Sequence, residues 1–339
     1  MADIADILGN DRMKEHFITA LVHEKVSHAY IIEGEKGSGK KMLASAFSKI
    51  LQCEERKEGT SACGLCESCI QIEQKDHPDV IWVTHEKPAS IRVNEIREQV
   101  INSVDIKPYK GPYKIYIIDE AEKMQPEAQN AILKTIEEPP EYVVIFMLST
   151  NRGAFLDTIL SRCVFLSTNP VPEKEVAKYL INKYQIPSEE AEFCAGFSMG
   201  NVGKAVLIST SEEFRNLKDI TLSILRYIDE IEVYEITEKV KEYKKYKNSI
   251  SNFFDIFYMW FRDLLLLKSC DGRRNPMDQL IFKKEYMYLR KQADCISMES
   301  VDYILNRIRR AERRIRAYVN FEATIELLIL EAGNEFKNK

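Results

Sequence analysis

A glycine-rich segment behind a short apolar run constrains the fold of this 339-residue chain most strongly. Residues 28–33 predict a buried strand, residues 34–41 read Gly-Glu-Lys-Gly-Ser-Gly-Lys-Lys, and residues 40–51 have helical spacing. A strand, spaced glycines, a lysine and a helix in this order are typical of a phosphate loop. Backbone N–H groups and the helix N-terminus then surround phosphate oxygens, and the lysine reaches the terminal phosphates. The nucleotide-binding residues predicted here are Gly34, Gly37, Gly39 and Lys40.

Position 41 departs from the phosphate-loop pattern. It normally carries a Ser or Thr whose hydroxyl binds Mg²⁺, whereas this chain has Lys41. An ammonium group cannot bind a cation as a ligand and repels one. Two interpretations stay open: the loop binds nucleotide weakly, or it is kept only as a tight turn between strand and helix. Efficient ATP hydrolysis is not expected from either.

A pair of carboxylates ends a second apolar run, residues 114–119. In phosphate-loop enzymes an acid at this place holds the metal and its neighbour polarises the attacking water. Asp119 and Glu120 are the residues for these two roles. Without the preceding phosphate loop, the two carboxylates would indicate only a polar loop that follows a strand. The loop lies about 80 residues earlier, so we assign the pair to the same degenerate nucleotide site.

Further apolar runs predict more strands, and the patterns between them predict helices. The strands are expected at 79–84 and 142–148, and the helices at 93–104 and 126–138. Continuous apolar strands separated by helices predict a parallel sheet with helices on both faces. After residue 172 only helical spacing is found. We therefore expect three domains: an α/β core over 1–168, a small helical domain over 169–210 and a larger all-α domain over 211–339.

Four of the eight cysteines lie close together in the sequence. Thiolates satisfy tetrahedral zinc, and gaps of two residues let successive sulfurs converge on one ion. A redox pair or simple reduced thiols are the alternatives. Four cysteine ligands predict a closed, structural Zn²⁺ site whose metal supplies folding energy to a polar insertion at 53–69. The predicted ligands are Cys53, Cys63, Cys66 and Cys69.

Charge and hydropathy exclude few classes of protein. The net charge is only −5, so any contact with nucleic acid has to come from a local patch. The start of the chain has no basic and apolar pattern of a signal peptide. The most apolar later run, residues 253–267, is too short and too charged to span a bilayer. We expect a cytoplasmic protein with no membrane partner.

Seven segments occur in an order that resembles a known family. They are residues 7–10, 28–30, the phosphate loop, the four-cysteine insertion, 119–124, 133–140 and 159–163. Together they resemble the ATPase-type subunits of the bacterial DNA polymerase III clamp loader, gamma/tau and delta-prime. The resemblance covers about residues 5–205, and the helical remainder fits by size and class only. It implies an AAA+ core with an inserted zinc module, a helical lid and a C-terminal collar for oligomerisation.

Two departures from the catalytic members indicate which type of subunit is present. Gamma/tau subunits have Ser or Thr after the loop lysine and an arginine in the lid motif, where this chain has Lys41 and Gly203. The chain also ends near residue 339 without the extension of tau. The resemblance therefore implies the delta-prime type, with ATP or ADP bound weakly or not at all and no independent ATPase activity. The alternatives are a catalytically active gamma/tau-like ATPase and a free-standing zinc-containing DNA-binding protein.

In this family a Ser-Arg-Cys motif gives an arginine finger to the ATP of the neighbouring subunit. The matching residue is Arg162, and a guanidinium beside the γ-phosphate stabilises the charge of the transition state. Otherwise Arg162 is an ordinary exposed arginine. Among polar residues 149–151 we choose Thr150 as the phosphate-sensing residue. As part of the holoenzyme, the implied partners are gamma/tau, delta, the sliding clamp (beta) and primer–template DNA, the last two through the complex.

Two basic segments give weaker indications. Arg92 and Arg97 match the family segment that faces DNA, and a solvated helix face explains them equally well. The run at residues 307–316 contains six arginines, diluted by nearby acids. We interpret it as the charged outer or interface face of a collar helix, with DNA contact as the alternative.

Overall fold

The computed structural model describes residues 4–56, 60–269 and 276–337. The chain divides into two compact units. Unit 1 contains Met1–Tyr179 and Ser198–Ala205, and unit 2 contains Leu180–Phe197 and Val206–Lys339. The domain boundaries expected near residues 168 and 210 stay predictions.

Strands occur only in the first half of the described residues, and helices occur throughout. The strands are β1 (Ala29–Glu33), β2 (Val80–Val83), β3 (Lys114–Ile118), β4 (Val143–Ser149) and β5 (Val164–Ser167). The α-helices are α1 (Asp11–Val22), α2 (Lys40–Gln52), α3 (Glu67–Gln74), α4 (Val93–Ile96), α5 (Asn102–Val104), α6 (Pro126–Glu137), α7 (Asp157–Leu160), α8 (Glu173–Tyr184), α9 (Ser188–Phe197), α10 (Val202–Thr210), α11 (Glu212–Leu225), α12 (Val233–Tyr243), α13 (Ile250–Ser269), α14 (Tyr286–Cys295), α15 (Met298–Arg316) and α16 (Phe321–Lys337).

The five strands form one parallel sheet in the order β2-β3-β4-β1-β5. Strand β1 lies between β4 and β5. Its residue Tyr30 lies opposite Phe146 of β4 and Val164 of β5. In a parallel sheet the loops that follow the strands meet at one edge. The loops after β1, β3 and β4 carry the phosphate loop, Asp119 and Thr150 respectively. The sheet therefore brings these predicted site residues to the same edge.

Both faces of the sheet are buried, as the apolar strands predict. On one face Tyr30 stacks on Phe146 at 5.4 Å between ring centroids, and Phe17 of α1 stacks on Phe47 of α2 at 4.1 Å. On the other face Ile31 belongs to a separate cluster with residues of α6. Because side chains alternate along a strand, neighbours in β1 serve opposite faces. The predicted α/β core with helices on both faces is confirmed.

Two details of unit 1 differ from the sequence-based expectation. The helix predicted at 93–104 is not uniform, because a π-helical segment, Arg97–Ile101, separates α4 from α5. Such a wide turn changes which side chains share a face. Strand β5 was not predicted: it is four residues long and mostly half-buried at the sheet edge, so its sequence has no long apolar run. For the four strands that were predicted, the predicted and observed ends differ by at most one residue.

Unit 2 consists of helices among the residues that the structure describes. The long helix α13 packs against α11, α14 and α15. Its aromatic side chains form the core, and Trp260 Nε1 donates to Gln292 Oε1 at 2.9 Å. No described helix has the length and apolar content that a bilayer crossing requires. The five aromatic side chains in the middle of α13 are buried: Phe253, Phe254, Phe257, Trp260 and Phe261.

A buried carboxylate fixes the segment before α14. Asp263 of α13 is fully buried and its Oδ2 accepts from the backbone N–H groups of Ile281 and Phe282, both at 2.9 Å. We expect Asp263→Ala to lower the free energy of unfolding by about 3 kcal/mol, because the buried N–H of Phe282 and the partly buried N–H of Ile281 lose their acceptor. Urea denaturation measures this. The matched control is Asp294→Ala, which changes an exposed carboxylate of α14 and is expected to change stability by less than about 0.5 kcal/mol.

Candidate functional site

The phosphate loop between β1 and α2 has the backbone that its glycines predict. Gly37 and Gly39 have φ angles of +91° and +92°, in the left-handed region that glycine adopts at low cost. Helix α2 begins at Lys40. A Cβ on Gly37 would also lie 2.7 Å from Asn201 Oδ1. Both the backbone angle and the space at position 37 therefore favour glycine. The predicted strand–loop–helix unit is present.

The loop lysine is bound by its own loop. Lys40 Nζ donates to the carbonyl oxygens of Gly34 and Glu35 at 2.5 and 2.8 Å. Lys40 is 9% exposed, and its burial lowers the pKa of the ammonium while the nearby Glu122 carboxylate raises it. A phosphate that binds this lysine has to replace both hydrogen bonds.

Lys41, the residue that departs from the phosphate-loop pattern, connects the phosphate loop to the carboxylate after β3. Lys41 Nζ lies 2.6 Å from Asp119 Oδ2. Lys41 is in the first turn of α2, and Asp119 directly follows β3. The ammonium therefore contacts the carboxylate that sequence reasoning assigned to a metal. A divalent cation on Asp119 would have to share this carboxylate with a positive charge.

The other acids of this loop also have partners within the chain. Glu120 has a φ of +51°, and its Oε2 accepts from Lys123 Nζ at 2.6 Å, which lowers the pKa of Glu120. Thr150 Oγ1 donates to Glu122 Oε1 at 2.7 Å. Glu122 Oε2 is buried and has no hydrogen-bond partner among the described residues. Sequence reasoning did not single out Glu122, although it lies two residues beyond Glu120.

The start of α10 lies directly on the phosphate loop. The Gly203 N–H donates to the Gly37 carbonyl at 3.0 Å, and Asn201 Nδ2 donates to the Lys36 carbonyl at 2.9 Å. A Cβ on Gly203 would lie 2.5 Å from the Gly37 oxygen. No side chain fits at position 203 while this contact holds. The contact between Gly203 and Gly37 is therefore incompatible with the lid arginine that the catalytic subunits have at this position.

The four clustered cysteines converge in space. The Sγ atoms of Cys53, Cys63, Cys66 and Cys69 all lie within 4.8 Å of one another. A tetrahedral zinc ion with bonds of about 2.3 Å needs sulfur–sulfur distances of about 3.8 Å. The backbone N–H groups of Leu65 and Cys66 donate to Cys63 Sγ and lower its pKa to about 7. The cluster fits a structural zinc site that these four thiolates would hold.

The cysteine cluster and the phosphate loop are attached to the two ends of one helix. Helix α2 begins in the loop at Lys40 and ends at Gln52, and Cys53 is the next residue. Lys49 of α2 forms an ion pair with Glu73 of α3, the helix that directly follows Cys66 and contains Cys69. The insertion is therefore joined to the core by both a covalent and a side-chain connection.

Arg162 lies far from its own phosphate loop. It precedes β5, whose first residue Val164 pairs with Tyr30, whereas the loop follows the other end of β1. The three steps from Val164 to Ser167 alone span about 10 Å. Arg162 Nη2 lies 3.0 Å from Glu137 Oε1, and Nη1 donates to the Thr158 carbonyl at 3.0 Å. The guanidinium is thus oriented, and its side chain is 39% exposed.

Sequence comparisons find similarity to subunits of bacterial DNA polymerase III. The family model described as "DNA polymerase III, delta subunit" matches residues 9–172. The delta' subunit of Bacillus subtilis DNA polymerase III is 25% identical over 323 residues, and the match covers 94% of each chain. The tau/gamma subunit of Haemophilus influenzae is 35% identical over 193 residues, which are 55% of this chain and 27% of that one. Over these ranges the chain is similar to subunits of the DNA polymerase III clamp loader.

The DNA polymerase III subunits that resemble the chain differ in how much of their own length it matches. It spans about a quarter of the Haemophilus influenzae tau/gamma subunit and nearly all of the Bacillus subtilis delta' subunit. Among solved structures, a gamma-subunit-related protein from Thermotoga maritima is 18% identical with a TM-score of 0.45, covering 96% of this chain and 99% of that one. The predicted resemblance to delta-prime and gamma/tau is confirmed by the sequence matches.

Proposed function

We propose that this clamp-loader subunit is of the delta-prime type: its own ATP site is impaired, and it supplies Arg162 to the ATP of a neighbouring subunit. In this role it helps to load the sliding clamp on primed DNA as a component of the DNA polymerase III holoenzyme. Its partners are gamma/tau and delta directly, and the beta clamp and primer–template DNA through the complex. It works in the cytoplasm, and the four cysteines hold structural Zn²⁺.

The contact of Lys41 with Asp119 carries the proposal of an impaired site. The 2.6 Å ion pair gives Asp119 a cation from within the chain, at the place where Mg²⁺ joins the carboxylate to the nucleotide phosphates in an active enzyme. The hydroxyl ligand of the metal is missing at the same position. One substitution therefore removes a ligand and supplies a competing charge.

The lid side of the site supports the same conclusion. Asn201 and Gly203 occupy the loop surface through two hydrogen bonds, and position 203 carries a glycine in place of the arginine that would contact a γ-phosphate. Lys40 is satisfied by loop carbonyls. Lys40, Asp119 and Thr150, three of the residues predicted to bind nucleotide or its metal, are thus each paired within this chain.

The position of Arg162 supports action on a different subunit. A finger that serves its own nucleotide has to reach the edge of the sheet where the phosphate loop lies. Arg162 lies at the opposite end of β5 and is oriented there by Glu137. A guanidinium that is held in place loses little conformational freedom when it binds phosphate.

A substitution at position 41 tests the impaired site. We expect the wild-type chain to bind a fluorescent ATP analogue weakly, with no gain from Mg²⁺. In Lys41→Thr, Mg²⁺ is expected to tighten binding about tenfold or more, because Asp119 is released and a hydroxyl ligand is restored. Turnover by either chain alone is expected to stay at background, because position 203 still lacks an arginine.

The matched control for this test is Lys41→Arg, which keeps the cation beside Asp119 and is expected to remain insensitive to Mg²⁺. Mg²⁺-dependent ATP hydrolysis by the isolated wild-type chain would contradict the proposal. It would favour the alternative of a catalytically active gamma/tau-like ATPase. If Mg²⁺ changed ATP-analogue binding equally in the wild type, Lys41→Thr and Lys41→Arg, Lys41 would not be the cause of the impaired site.

A further inference from the structure

The last three turns of α15 carry an unusual concentration of positive charge on unit 2. Six arginines lie between residues 307 and 316 in a chain whose net charge is −5. Two of them have carboxylate partners: Arg307 pairs with Glu331 at 3.2 Å and Arg316 with Glu312 at 2.5 Å. In the described part of the chain, the remaining four have no carboxylate within 4.0 Å. They are Arg309, Arg310, Arg313 and Arg314.

These four arginines lie next to one another on the helix. Residues three and four apart are neighbours on a helical surface, and like charges there cost about 0.2–0.5 kcal/mol per pair. Arg310 is such a neighbour of both Arg313 and Arg314, and Arg309 of Arg313. The helix dipole favours cations only in the last turn, so it does not account for Arg309 and Arg310. Arg309 lies 5.8 Å from the centroid of the Tyr258 ring, and Arg313 Nε donates to the Arg309 carbonyl at 3.4 Å. In the described part of the chain, no carboxylate within 4.0 Å offsets the repulsion among the four guanidinium groups.

The neighbouring surface adds a crevice and an aromatic ring. Arg310 and Arg314 line a shallow crevice between α15 and α16 together with Arg307, Thr324 and Leu327. Just beyond the end of α15, Tyr318 is 98% exposed. A fully exposed tyrosine two residues after Arg316 is not explained by packing. Tyr318 follows Arg314 by four residues in the chain. Unpaired guanidinium groups together with an exposed aromatic ring are the combination that binds single-stranded nucleic acid, through phosphates and a stacked base.

We propose that Arg309, Arg310, Arg313, Arg314 and Tyr318, which we call the arginine surface, bind single-stranded nucleic acid without sequence preference. The arginines contact backbone phosphates, which position a strand but do not read its sequence. Tyr318 stacks on one base. An acidic protein segment would pair with the arginines alone and would leave the ring unused, so the exposed tyrosine favours nucleic acid. This binding site goes beyond the proposed function and does not depend on the ATP site or on Arg162.

The test uses the full-length chain and a fluorescently labelled 20-nucleotide oligothymidylate, with anisotropy measured over a series of salt concentrations. In Arg310→Gln/Arg313→Gln the affinity at low salt is expected to fall at least tenfold. The slope of log K against log salt is expected to become shallower by about 1.4, because each phosphate contact on a single strand contributes about 0.7. Tyr318→Ala is expected to lower affinity roughly tenfold without changing the slope.

The matched control is Lys284→Gln/Arg290→Gln, which removes the same charge from exposed residues of unit 2 that have carboxylate partners. It is expected to bind as the wild type does. Thermal melting verifies that all variants fold. The proposal is overturned if the wild type does not bind the oligonucleotide at low salt, or if both double variants weaken it equally. It is also overturned if an oligoglutamate peptide binds the arginine surface and the oligonucleotide does not.

Discussion

Replacing Arg162 by alanine in the reconstituted clamp loader is expected to lower ATP turnover by about 10³-fold or more, in the presence of clamp and primed DNA. The loss corresponds to about 4 kcal/mol of transition-state stabilisation. In the proposed role, the guanidinium of Arg162 stabilises the developing charge on the neighbour's γ-phosphate, and its removal is expected to cause this loss. Steady-state phosphate release measures the turnover, and the effect is expected in kcat.

Two further variants separate the finger from a general effect of charge. Arg162→Lys keeps the charge but lacks the planar fork, so most of the loss is expected to remain. Arg12→Ala removes an exposed arginine from α1 and is expected to leave turnover unchanged. If the loader containing Arg162→Ala turns over ATP at the wild-type rate while assembling normally, Arg162 is not a finger.

The second large effect is expected from the cysteine cluster. Structural zinc in small peptides contributes about 10–16 kcal/mol, so one of four ligands accounts for about 3 kcal/mol, or more than a hundredfold in affinity. Cys66→Ser is therefore expected to lose its zinc to a chelator that the wild type resists. Without the metal, the insertion loses its main source of folding energy, and trypsin is expected to cleave at Arg56 faster.

Metal analysis by mass spectrometry measures the zinc content before and after the chelator. Cys295→Ser is the matched control, because this cysteine ends α14 outside the cluster. It is expected to keep a full equivalent of zinc. A full equivalent retained by Cys66→Ser under the same conditions would show that the thiol at position 66 does not hold a metal.

Local patterns predicted most of the core correctly, because they depend on neighbours in the chain. The alternation of apolar runs with helical spacing gave the parallel sheet, and the glycines at 37 and 39 gave a loop that only their φ angles allow. Strand β5 was missed because a short, half-buried edge strand has no such pattern. The π-helical turn at Arg97–Ile101 likewise has no signature in hydrophobic spacing.

Pairings between distant side chains were beyond the reach of the sequence. The lysine at position 41 was recognised as a missing hydroxyl, but its ion pair with Asp119 depends on how α2 and β3 meet. The contact between Gly203 and Gly37 likewise joins segments separated by more than 160 residues. Glu122, Glu137 and Asn201 became visible as site residues only through the atoms that they contact.

The glycine-rich loop, the clustered cysteines and the order of the motifs were determined by the sequence itself. These features are chemical identities at fixed spacings, and spacing along a strand or helix converts directly into position. The tertiary structure alone decided that Lys41 contacts Asp119, that Arg162 lies at the sheet edge away from its own loop, and that four arginines of α15 have no carboxylate partner among the described residues. Each of these depends on packing between elements distant in sequence, because a side chain's partner is chosen by proximity in space.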